Sequence, residues 1–232
     1  MEEQSLALSF SNSLTEEVSG ITGEYVELGL DALVEDGLFK DIPIVSTAVA
    51  VYRIGKSIRE RHHIAKLISF LNEINKGIAD KEKRQNYREK FTSNEEFRNK
   101  ELEYILILID RYISFDKPQM LAKLYLAYLD GKIIWEEFTM YAEVIDRFLL
   151  LDCRTLTSDA ERFIVPRGIV GGESILRLVA LGLVAEVTDI SAFKEHGNGS
   201  IGITWETLTR SISTDKIYRR TEFGEKLANI LR

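Results

Sequence analysis

The sequence predicts a mainly α-helical chain, a helical bundle followed by a small α+β module. Three observations predict it. Apolar residues recur at three- and four-residue spacings through the first two thirds, only three prolines interrupt 232 residues, and glycine and branched residues take over after about residue 160. That change of texture sets the expected boundary between a region 1–160 and a module 161–232.

Residues 16–37, EEVSGITGEYVELGLDALVEDG, read as a helix or helix pair interrupted by glycines. After GLFKD, Asp41 suits an N-cap, and Pro43 falls in the first turn of the next helix, where a missing amide hydrogen costs little. That helix runs to about Lys56, continuing or bending near Gly55. Residues 77–94 are polar and loop-prone at both ends. From about Glu95 a long helix carries the stripe Leu102, Ile105, Leu106, Ile109 and Tyr112. Asp116 and Pro118 open another with Leu121, Leu124, Tyr125 and Tyr128. A third starts near Trp135 with Phe138, Tyr141, Ala142, Ile145, Phe148 and Leu149. Helices joined by such short turns pack as a bundle.

In the second module a short helix is expected over 174–181, and GLVAEVTDI leaves it as a strand. A loop around KEHGNGS and short strand-like pieces follow. Thr221 then caps a last helix with Phe223, Leu227 and Leu231 on one face.

Charge is uneven along the chain. The net value of −7 disfavours a general nucleic-acid coat, but residues 1–40 hold nine acids against one lysine, whereas 52–66 hold Arg53, Lys56, Arg59, Arg61 and Lys66 against Glu60. The acidic start lacks the basic region of a secretory signal, and the single Cys153 cannot form an internal bridge. A cytoplasmic chain with a buried, inert thiol is the expectation.

Within 42–71 three uses are open: packing inside the bundle, contact with a protein partner or a second copy, or action on an anionic membrane surface. The apolar run 42–52 is too short to span a bilayer, which takes about 20 residues. The stripe Val51, Ile54, Ile58, His62 and Ala65 opposes a basic face of Arg53, Lys56, Arg59 and His63, a pattern shared by core and interfacial helices. Candidate interaction or membrane-facing residues are therefore Arg53, Ile54, Lys56, Ile58, Arg59, His62 and His63.

Signatures of chemistry are missing. There is no H-E-x-x-H, G-x-S-x-G, Walker loop or G-x-G-x-x-G. LDGKIIWEEF fails as a calcium loop, because placing Gly131 at loop position six puts Leu126 and Tyr128 where oxygen ligands are needed. It reads instead as a tight turn that tucks in Ile133. The adjacent His62 and His63 point about 100° apart on a helix and cannot share a metal. A non-enzymatic protein without metal or cofactor is expected.

The passages SILRLVALGLVAEV (174–187) and YRRTEFGEKLANIL (218–231) resemble a winged-helix module, the second through the ending aromatic-x-x-Thr-x-x-Gly. The resemblance implies a core of Leu176, Leu178, Val179 and Leu183, with Tyr218 ending the wing strand and Phe223 and Leu227 anchoring the last helix. It also implies a possible DNA contact through Arg177, Arg210, Lys216, Arg219 and Arg220, although Arg177 alone is basic on the helix 174–181 and Arg220 stands where an apolar residue is usual. That weak footprint favours an adaptor between proteins over a DNA-binding regulator. The overall arrangement also resembles uncharacterised bacterial proteins of abortive-infection type, which would imply a membrane-active effector of antiviral defence.

Overall fold

The computed structural model of the chain describes residues 58–78, 82, 85–87, 89, 95–165, 172–187 and 216–232. The expected helix start at Asp41 and Pro43, the candidates Arg53, Ile54, Lys56 and Arg210, and the loop around KEHGNGS lie outside those residues. The chain is mainly helical with a small three-stranded antiparallel sheet, and it divides into two compact units, Met1–Asp146 and Arg147–Arg232.

In the first unit, α1 spans Ile58–Gly77, α2 Glu95–Arg111, α3 Asp116–Leu129 and α4 Trp135–Arg147. Helices α2, α3 and α4 largely bury the stripes their spacing marks, whereas of the described members of the stripe expected in α1 only Ala65 is buried. Ile64, Leu67, Ile68, Leu71 and Ile74 of α1 are buried, as are Leu102, Ile105, Leu106 and Ile109 of α2. Pro118 sits in the first turn of α3, where amide groups have no intrahelical acceptor, so the ring removes no helical bond. The helix α1 packs along α3, and Gly77 closes that contact, since a Cβ there would lie 2.3 Å from Leu126 Cδ1. Aromatic rings join the rest: Tyr125 lies 6.4 Å from Phe70 and 5.7 Å from Phe138, and Phe138 stacks on Trp135 at 4.7 Å.

The turn after α3 is closed by Lys132 N–H donating to Ala127 O and Gly131 N–H donating to Tyr128 O, both at 2.9 Å. This Schellman arrangement requires a left-handed residue, which Gly131 supplies with φ 73°. Ile133 is tucked in behind it.

The second unit runs α5 Leu150–Thr157, β1 Phe163–Val165, α6 Glu173–Ala180, β2 Val184–Val187, β3 Lys216–Arg220 and α7 Glu222–Leu231. The texture boundary near 160 would have left α5 with the first region. The strand order is β1-β3-β2, with Phe163 opposite Tyr218 and Val184 opposite Arg220. Residues directly opposite share a face, so Phe163, Val184, Tyr218 and Arg220 line the inner one, while Ile164, Ala185 and Arg219 point outward and are exposed.

A second Schellman turn ends α6. Gly182, at φ 73°, donates to Val179 O, and Leu183 donates to Leu178 O, each at 2.9 Å. The buried pair Leu178 and Leu183 is the apolar contact this motif carries. Leu176 and Val179, expected in the core, are instead 56% and 37% exposed, because Ile175 and Leu178 take the inward face of this two-turn helix. A helix so short has room for one inward stripe.

The threonine-x-x-glycine ending locks α7 to that turn. Thr221 Oγ1 accepts from Gly224 N–H at 3.0 Å and donates to Gly182 O at 2.8 Å, while Thr221 N–H donates to Leu183 O at 3.0 Å. At Gly224 a Cβ would lie 1.9 Å from the Leu183 carbonyl oxygen, so only glycine permits this approach. Gly224→Ala is expected to destabilise the second unit by about 3 kcal/mol through overpacking, and Thr221→Ala by about 1 kcal/mol through loss of the cap. Both are read from denaturant midpoints, and a Gly224→Ala midpoint equal to wild type would refute the close approach.

Candidate functional site

Two groups of basic side chains need placing: those of α1 and those of the second unit. Along α1 the exposed residues come first. Ile58 is 79% exposed, not part of the buried stripe, which starts at Ile64. Arg59 Nη2 reaches Asp110 Oδ2 at 3.3 Å. His62 Nε2 lies 2.8 Å from Ile113 O, its ring against Phe115 with centroids 4.8 Å apart. His63 turns inward rather than toward a solvated basic face: Nδ1 is buried, 3.3 Å from Asp110 Oδ1 and without a hydrogen bond. Burial holds its pKa below the usual imidazole value, against the opposing pull of Asp110. Lys66 is buried and its ammonium donates to Asp110 O and Tyr112 O, both at 2.7 Å. The basic run thus grips the C-terminal end of α2 and the corner leading to α3.

In the second unit, Arg177 is bound to a residue that sequence reasoning passed over. Asp152 is fully buried at the first turn of α5, and it accepts from Leu149 N–H at 3.1 Å and Ser174 Oγ at 2.8 Å. Arg177 completes the shell with Nε 3.0 Å from both oxygens and Nη2 2.7 Å from Oδ1, tying α6 to α5. Burial works to raise the Asp152 pKa, but the bonds from Arg177, Leu149 and Ser174 outweigh it and hold the carboxyl below its ordinary range. A faint signal existed. An acid at the third position of a helix, after an apolar run, is the returning half of a capping box.

The side chain of Arg220 is 7% exposed, on the inner face of the sheet. It donates to Leu156 O at 2.6 Å and to Ser158 O, with its guanidinium 5.2 Å from the centre of the Phe163 ring. Lys216 is exposed and pairs with Glu186 at 2.8 Å across β2 and β3. Arg219 is exposed on the outer face. Cys153 is half-buried.

Among the described residues, no group of three or more His, Cys, Asp or Glu side chains is placed to hold a metal ion, and no helix is long and apolar enough to cross a membrane. No protein-family model, curated protein or solved structure matches the chain.

The Asp152 network sets a pH dependence. Its folded pKa lies below the unfolded value of about 3.9, so the stabilisation is present above about pH 4 and disappears as pH falls through the folded pKa. Asp152→Asn is expected to lower stability at neutral pH by about 2 kcal/mol, with the gap to wild type closing in strong acid. Chemical denaturation at about pH 7 and pH 3 measures both, and a gap undiminished at the lower pH would refute the ion-pair origin.

Proposed function

We propose that this chain is a non-enzymatic interaction protein whose winged-helix-like C-terminal unit presents an apolar helix face to a protein partner, a second copy of the chain included. The strand order β1-β3-β2, with α6 leading into β2 and Thr221 capping the helix after β3, supports the winged-helix-like reading.

One observation carries the functional choice: of the four described cations that a DNA-binding version of such a unit would turn to phosphates, three are engaged within it and Arg219 alone stands exposed on the outer face. Arg177 is held by Asp152, Arg220 by the carbonyls of Leu156 and Ser158, and Lys216 by Glu186. Duplex affinity rises with the number of phosphates neutralised. Meanwhile α6 offers solvent Leu176 and Val179 instead of charge, and exposed apolar surface of this kind suits a protein contact.

Two outcomes follow. A labelled duplex titrated with the chain is expected to show no nanomolar binding at physiological salt, and nanomolar binding that weakens steeply with salt would favour a DNA-binding regulator. Leu176→Asp, at an exposed position, is expected to change stability by about 0.5 kcal/mol or less while disrupting association with the partner. If the partner is a second copy, light scattering shows the wild type as an oligomer and the variant as a monomer; an unchanged oligomer would exclude α6 as the contact.

A further inference from the structure

The inner face of the three-stranded sheet is covered: α6 meets β2, α7 meets β3, and Phe163, Val184 and Tyr218 are buried there. The outer face carries a pattern of its own. Ile164, Ile217 and Val187 stand directly opposite one another, in a row across all three strands. Ile164 is 61% exposed, and Ile217 and Val187 are half-buried. Branched side chains on neighbouring strands make such a row a stiff apolar strip.

A second row runs beside it, two residues along the strands and so about 7 Å away. In this row Arg219 stands opposite Ala185, and one further step of the β1 and β3 register brings Arg162 opposite Arg219. All three are exposed. Among the described residues neither arginine meets an acid or a carbonyl, in contrast to Arg177, Arg220 and Lys216. The acid of the sheet, Glu186, lies in register with Tyr218 on the other parity and is bonded to Lys216. Three apolar side chains and two uncommitted cations thus share the outer face, with no acid beside them among the described residues.

We propose that this face is a docking surface for an acidic amphipathic helix of a partner protein. Two steps between neighbouring strands cover about 10 Å, and seven residues of an α-helix rise about 10.5 Å. A helix laid across the strands therefore sets apolar residues at i, i+3 or i+4, and i+7 on Ile164, Ile217 and Val187 in turn. The arginine row then lies along the flank of a cylinder about 10 Å wide, where carboxylates of the helix pair with Arg162 and Arg219. Two cations are few for an anionic membrane, which is held by about four to eight, and the strip has no long or aromatic side chain to insert into lipid. A duplex would leave the apolar strip unused. The surface includes no residue of α6, and the proposal does not rest on the role given to Leu176.

Fluorescence anisotropy of a labelled synthetic helix, titrated with the full chain, tests it. The probe is about two heptads long, with leucines at i, i+4 and i+7 and glutamates flanking them, and its control carries lysine at each glutamate. The acidic probe is expected to bind with a Kd of about 100 μM or tighter, and the lysine control about tenfold more weakly or worse. Arg162→Glu combined with Arg219→Glu should weaken the acidic probe about tenfold and strengthen the lysine control, an exchange of preference that an unfolded variant cannot produce. Leu176→Asp should leave both affinities unchanged, which separates this surface from the α6 contact. Failure of the acidic probe to bind, equal binding of the two probes, or a double variant with wild-type preference overturns the proposal. So does co-sedimentation of the wild type with phosphatidylserine vesicles that is lost in the double variant, because it assigns the face to lipid.

Discussion

Every helix leaves its last carbonyl groups without an intrahelical donor, and among the described helices α2, α4 and α5 meet that requirement with cationic side chains. Lys66 reaches the carbonyls at and beyond the end of α2, and Lys117 donates to Asp146 O near the end of α4. Arg220 and Arg232 cover Leu156, Thr157 and Ser158 at the end of α5. At the ends of α3 and α6 a glycine turn closes the carbonyls instead. A positive charge at a helix C-terminus contributes about 0.3–1 kcal/mol, more when partly buried, because it opposes the partial negative charge there. The same side chains also fix which helix meets which corner.

This use explains why the fold was more legible than the sites. Periodicity marks what a helix buries, and the stripes of α2, α3 and α4 emerged in the expected phase, as did the glycine turn at Gly131 and the cap at Thr221. Leu149 is an exception: the helix that carries the stripe ends at Arg147, so the residue begins a new helix and points outward. Leu176 and Val179 fail for a related reason. Their spacing is helical, but periodicity alone cannot say which of two apolar stripes on an amphipathic stretch faces inward.

Charge carries no comparable period. Arg59 and Lys66 lie on the same helix, yet Arg59 is largely exposed and Lys66 is buried on two carbonyls. What separates them is the position of the α2 terminus, distant in sequence. Arg220 is the clearest instance. It stands on the inner face of the sheet, where its guanidinium lies over Phe163 and satisfies carbonyls of α5. Asp152 escaped notice for the complementary reason: an acid between leucines looks like any helix-start acid until Arg177 arrives from another helix.

The bond from Arg220 to Leu156 spans 64 positions, and that from Arg232 to Thr157 spans 75. A growing polypeptide therefore makes α5 long before it makes the guanidinium groups that close its end. An isolated helix of two turns is too short to persist in water on its own. The Asp152 bonds to Ser174 and Arg177 can tie α5 to α6 first, but the sheet and the capped end of α5 wait for β3 and α7. The end of α5 is thus closed only once the chain is nearly complete, a timing imposed by where two arginines stand.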